Sequence, residues 1–170
     1  MPRNVHISVI KICAIQNIHP IFFDLDISSE TGHYKPTTKI SLENVFKKIN
    51  FNEKKIVGVI LVSPSYHGYA GDLGPLIDLC HQKNLPVLVD EAHGSYFLFC
   101  ENLNLPKSAL ISNADLVVHS LHKSLNGLTQ TAALWYKGNL VNEQNLINSI
   151  NLLQTTSPSS LLLSSCEESI

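Results

Sequence analysis

Apolar runs and polar clusters alternate along the chain, and their spacing predicts helices and strands in turn. From His6 to Gln16 the apolar residues recur at helical spacing, and Pro20 stops the pattern. Ile21-Phe22-Phe23 predicts a short strand ending at Asp24, followed by a polar, turn-rich stretch over 26–40. Ser41 predicts an N-cap for a helix carrying Leu42, Val45, Phe46 and Ile49 on one face. The continuous β-branched run from Ile56 to Val62 predicts a strand buried on both faces. Asp72 predicts the cap of a helix through Leu76, Ile77, Leu79 and Cys80. Two further strands follow: Pro86 to Val89, entering Asp90-Glu91-Ala92-His93-Gly94, and Leu116 to His119, entering Ser120-Leu121-His122-Lys123. Between them, residues 95–113 read as an irregular crossover. Gln130–Trp135 predicts a last strand closed by Gly138, and helices are predicted from Asn142 to Leu153 and from Ser159 onward. Strands alternating with helices imply an α/β fold of three layers, α/β/α, on a mostly parallel sheet.

Composition narrows the function. A chain of 170 residues with 44% hydrophobic content suits one globular domain with a real core. The formal charge of −2, with a single arginine (Arg3) and lysines scattered rather than striped, gives no electrostatic case for nucleic acid or an anionic membrane. No stretch approaches the roughly 18 apolar residues of a membrane span, and the N-terminus lacks a signal-peptide core, so a cytoplasmic location is expected. Cysteines 13, 80, 100 and 166 form no Cys-x-x-Cys pair and read as free thiols. His19, His33, His67, His81 and His119 lack metal-ligand spacing; no metal site is expected.

Asp90 and Lys123 carry the chemistry. Ligands of open α/β sheets bind outside the carboxyl ends of strands, and both residues stand there. A carboxylate following an apolar run requires a cation if it is buried. A protonated pyridine nitrogen and a magnesium ion are both candidates, with a helix cap or surface turn as the plain structural alternative. Magnesium with Asp-Glu-Ala-His would indicate a helicase-like ATPase, but no Gly-x-x-x-x-Gly-Lys-Ser/Thr loop occurs. Lys123 lies among Ser120, His122, Ser124, Asn126 and Gly127, small hydrogen-bonding groups suited to phosphate oxygens. An acid and an amine so placed would hold the two ends of pyridoxal phosphate, with the lysine forming a Schiff base.

Asp90-Glu91-Ala92-His93-Gly94, Ala114-Asp115, Ser120-Leu121-His122-Lys123-Ser124-Leu125 and Leu128-Thr129-Gln130 together resemble the large domain of the Orn/Lys/Arg decarboxylases. Arg3-Asn4-Val5-His6-Ile7-Ser8, Pro64-Ser65-Tyr66-His67-Gly68 and Thr156-Ser157-Pro158-Ser159 extend the resemblance, in family order, from residue 3 to about 165. It implies a pyridoxal-phosphate enzyme of fold type I, as a single partial large domain over 1–170. The resemblance also implies that the family's N-terminal phosphate-binding turn and C-terminal small domain lie outside this segment. Lys123 would form the Schiff base, Asp90 would pair with the pyridine nitrogen, and Ala92 would lie against the ring. His6 would stack on the opposite ring face, Ser120 and His122 would contact phosphate, and His93 would face the substrate. Tyr66 reads as packing. The implied reaction is decarboxylation of lysine, arginine or ornithine in a homodimer or larger assembly. The alternative is an inactive remnant, or a subunit needing a complementary polypeptide. Ile7 stands where the family has lysine, and Tyr96 where it often has histidine. The lone arginine disfavours an aminotransferase, which grips the substrate carboxylate with one.

Overall fold

The computed structural model describes residues 1–100 and 103–170. Its centre is a four-stranded sheet in the order β1 (Val59–Val62), β2 (Val87–Asp90), β3 (Leu116–His119) and β4 (Ala133–Tyr136). β1, β2 and β3 run parallel, while β4 pairs antiparallel with β3. The α/β, mostly parallel sheet is thus the one the alternating pattern predicts.

Register decides which side chains share a face. Leu61, Val89, Val117 and Trp135 are aligned across the sheet, and with Val59 and Val87 they lie on the face that closes over the core. Helices α2 (Lys39–Lys48) and α3 (Gly74–His81) supply the other wall through Leu42, Phe46, Leu76, Ile77 and Cys80. The alternate residues, Ile60, Val62, Leu88, Asp90 and Val118, are only half-buried. The β1 run is therefore not buried on both faces, as its composition suggested. Branched side chains fit a pleated strand whether one face is sealed or two.

Several element boundaries differ from the sequence reading; β1 starts at Val59 rather than Ile56, and β2 spans Val87–Asp90 rather than Pro86 to Val89. Phe23 forms a single bridge to Pro2 and buries its ring in the core, but Ile21–Phe23 is not a strand. Three apolar residues between Pro20 and Asp24 make one ladder contact and then run out. Thr38, not Ser41, caps α2: its Oγ1 accepts from the Ser41 N–H at 3.2 Å. Leu73 is the residue before α3, with Asp72 Oδ1 accepting from the Gly74 N–H at 3.1 Å. The last strand begins only at Ala133, because Gln130 has a φ of 78° and Thr131 folds back onto the Leu128 carbonyl.

The remaining helices follow the pattern. α1 (Ile7–Ile15) starts at a His6 cap, and α4 (Leu121–Ser124) follows β3 directly. α5 (Glu143–Leu153) is capped by Asn142, and α6 (Ser160–Glu168) follows Ser159. The crossover contains a 3-10 turn over Ser95–Phe99; its residues 101 and 102 lie outside the described residues. Cys13 and Cys80 are buried free thiols, and Cys100 and Cys166 are partly buried free thiols. Burial pushes the Cys80 thiol up to about 12, keeping it protonated and unreactive.

Candidate active site

The parallel strands β2 and β3 end side by side, Asp90 pairing with Val118, and the chain leaves each by a tight turn. After β2, the Ala92 N–H folds back onto Asp90 Oδ1 at 3.2 Å and the Gly94 N–H onto the Glu91 carbonyl at 2.9 Å. Gly94 is required by space. A Cβ there would stand 2.5 Å from Pro64 Cδ and 3.0 Å from Glu91 Cγ and Phe97 Cδ2. After β3, Ser120 opens α4, and its carbonyl accepts from the Lys123 N–H at 3.0 Å.

These turns bring two of the expected residues into contact. Lys123 Nζ donates to His93 Nε2 at 3.4 Å. Partial burial holds the His93 imidazole below its ordinary 6.5, and the Lys123 ammonium adds to the effect; Asp90 opposes it, and His6 adds a smaller push downward. His93 is thus a neutral base facing an amine. Asp90, half-buried, spends Oδ1 on its own turn, and Oδ2 has no hydrogen-bond partner among the described residues. His6 is exposed, and its Nδ1 accepts from the Ser8 N–H at 3.3 Å and from Ser8 Oγ at 2.8 Å, which orients the ring.

The other expected residues are placed less directly. Ala92 is buried in the turn between Asp90 and His93. Ser120 is buried and makes no side-chain hydrogen bond among the described residues. The His122 ring is already engaged, its Nδ1 donating to the Thr131 carbonyl at 2.8 Å, so only Nε2 remains for another partner. Tyr66, read as packing, is 81% exposed and meets the rings of His67 and His93 edge-on, with centroids 5.3 and 5.5 Å away. It stands over the site because its loop follows β1, the neighbour of β2.

Sequence reading missed Glu91 and His119. Glu91 is fully buried and His119 nearly so, and they meet at 2.7 Å. The available signal was alternation: Glu91 continues the inward register of Val87 and Val89, and His119 that of Val117. Asp115 is likewise buried, accepting from His81 Nε2 and the Val87 N–H, each at 2.8 Å.

The arrangement suits a ring-shaped cation carrying an aldehyde. It offers an acid with one free oxygen and an accessible amine beside a neutral imidazole. Pyridoxal phosphate is such a group, and these residues fit it.

Comparison with known proteins establishes the family and the fold. The family model for the Orn/Lys/Arg decarboxylase major domain matches residues 1–169. An arginine decarboxylase of Bacillus cereus is 36% identical over 167 residues, 98% of this chain and 35% of that protein. One from Bacillus subtilis (strain 168) is 35% identical over 167 residues, 98% of this chain and 33% of its own length. The chain therefore spans about a third of the length of these relatives. Among solved structures, a PLP-bound aminotransferase candidate from Clostridium difficile 630 superposes with a TM-score of 0.69 at 16% identity, covering 98% of this chain and 42% of that one. Serine palmitoyltransferase of Sphingomonas wittichii gives 0.66 at 16%, covering 99% and 39%. At these identities the structural matches establish the fold alone.

Proposed function

We propose a function from one premise: the chain belongs to the Orn/Lys/Arg decarboxylase family, whose major domain it matches. It carries the cofactor-ring and amine chemistry of a pyridoxal-phosphate-dependent decarboxylase of a basic amino acid. The observation that carries this reading is the 3.4 Å approach of Lys123 Nζ to a neutral His93, beside an Asp90 with one carboxylate oxygen free.

When bound, pyridoxal phosphate supplies an aldehyde that condenses with amines and a protonated ring that accepts the electron pair left when carbon dioxide departs. Asp90 Oδ2 would hold the proton at the ring nitrogen, since a neutral pyridine is a poor electron sink. Ala92 presents a small side chain that lets a flat ring approach. Lys123 would be the nucleophilic amine; it must be unprotonated to attack, and His93 Nε2, 3.4 Å away, would be the group that accepts its proton. His6 would cover the other ring face. Ser120 and the free Nε2 of His122 would serve the phosphate. Tyr66 and His93 would face the incoming amino acid. Arginine is the first substrate to test, followed by lysine and ornithine. The active form in this reading is a cytoplasmic homodimer or larger assembly, and residues 1–170 form one part of its large domain.

The test is direct. The purified chain is mixed with pyridoxal phosphate, reduced with borohydride and digested. A pyridoxyl label on Lys123, lost in Lys123→Ala, is the expected result. Label on another lysine, or none, overturns the reading. Release of carbon dioxide from arginine, lysine and ornithine then ranks the substrates.

A further inference from the structure

We propose that Glu91 is a positioning residue for this site: it sets the placement of Asp90 relative to Lys123 by tying together the two strand ends that carry them. The inference rests on the roles given above to Asp90 and Lys123.

Glu91 is completely buried and faces away from Asp90, into the sealed side of the sheet. Its Oε1 accepts from the Ala109 N–H at 2.8 Å, and its Oε2 from Ser108 Oγ at 2.8 Å and His119 Nε2 at 2.7 Å. The direction of the last bond is fixed from behind. Trp135 Nε1, which can only donate, reaches His119 Nδ1 at 2.9 Å. His119 Nδ1 is therefore the acceptor and Nε2 carries the proton. All three groups on Glu91 are donors, so the carboxylate is ionised and its partner imidazole is neutral.

A buried anion without a full counter-charge is a costly way to fill a core. What it provides is convergence. Its three donors come from the end of β3 and from the segment entering it, and Trp135 adds β4. Glu91 itself is bonded covalently to Asp90 and Ala92, and its backbone N–H reaches the Val118 carbonyl at 3.0 Å. His119 is followed at once by Ser120, whose carbonyl holds the Lys123 N–H. The Glu91–His119 bond, at 2.7 Å, thus ties the turn bearing the acid to the end of the strand that leads into the turn bearing the amine.

Glutamine cannot replace the carboxylate. Its NH2 would face the Ala109 N–H in one orientation and the His119 Nε2–H in the other, a donor against a donor either way.

The experiment compares wild type, Glu91→Gln, His119→Phe and His119→Gln. Two readouts are taken: 15N NMR of the chain without cofactor, and the pyridoxal phosphate Kd with the rate of borohydride-trapped labelling at Lys123. Trp135 is the only tryptophan, so its indole N–H is a single resonance. In wild type that resonance should show an indole bonded to an Nε2–H imidazole. E91Q and H119F should raise the Kd and slow the labelling by about tenfold, the scale of one charge-assisted hydrogen bond. H119Q, which returns an N–H at similar reach, should recover most of the loss. Folded E91Q and H119F variants that label at the wild-type rate overturn the inference while leaving the proposed function intact. So does an H119Q variant no better than H119F, which indicates ring packing alone. If wild type takes up no pyridoxal phosphate, the functional reading fails first and this inference with it. Should E91Q and H119F not fold, Ser108→Ala decides, because it removes one donor with little change in volume; unchanged labelling there overturns the proposal.

Discussion

Lys123 and His93 meet at 3.4 Å, although thirty positions separate them and each follows a different strand. The contact exists because β2 and β3 are parallel neighbours in register, so their carboxyl ends emerge together. An ammonium facing an imidazole lone pair has a direct consequence for pH.

The fold holds His93 below the 6.5 of a free imidazole, first through burial and then through Lys123. The unfolded chain therefore binds a proton there that the folded chain resists. The sign follows: the stability attached to a neutral His93 is fully present above about 6.5 and is lost as pH falls from there through the lower folded value. Melting temperatures measured from pH 7.5 down to 5 should fall more steeply in wild type than in His93→Gln. Equal slopes would show that His93 titrates as it does in the unfolded chain.

Asp90 is the group proposed to pair with the ring nitrogen. Asp90→Asn preserves the bond from the Ala92 N–H but removes the negative charge. Labelling at Lys123 should persist, while amino-acid decarboxylation should fall by about 100-fold or more. Parallel loss of both would assign Asp90 to binding rather than to electron withdrawal.

Gly94 lies at the crowded base of the same turn, with Pro64, Glu91 and Phe97 around its missing side chain. Gly94→Ala forces backbone or proline movement and should cost about 1–3 kcal/mol, as overpacking does elsewhere. Urea unfolding checks the stability. Slower Lys123 labelling in the same variant would show that the disturbance reaches His93.

Asp115 fastens α3 to the sheet by accepting from His81 and the Val87 N–H. Asp115→Ala strands a buried backbone donor at the start of β2 and should destabilise by about 2–3 kcal/mol. A midpoint unchanged in urea would mean that water replaces the carboxylate. Because Asp115 hydrogen-bonds to none of the residues proposed to face the cofactor among the described residues, the folded fraction should label Lys123 normally.

The resemblance motifs mixed residues that face the half-open side of the sheet with residues buried inside it, a difference the motifs alone do not show. Asp90 and Glu91 are adjacent acids, and the sequence reading gives Asp90 a ligand role and Glu91 none. The pleat sends one to the half-open face and the other into the core, which is why one suits a ligand and the other a buried hub. Asp115 and His119 sit in or beside motifs as well, yet both spend their polar atoms on internal bonds. Conversely, Tyr66 looked like packing, and its loop leaves it exposed over His93.

The sequence by itself determined the alternation of strands and helices, the family motifs in order, and the position of an acid and a lysine at two strand ends. Those features are local: periodicity, caps and short motifs are written in neighbouring residues. Only the tertiary structure decided that the two strand ends adjoin, that β4 turns back antiparallel, and that Ile21–Phe23 stops at a single bridge. It also decided which polar residues are consumed inside the sheet, such as Glu91, Asp115 and His119. Pairing and burial depend on which distant segments meet, and a one-residue step along a strand reverses the face on which a side chain emerges.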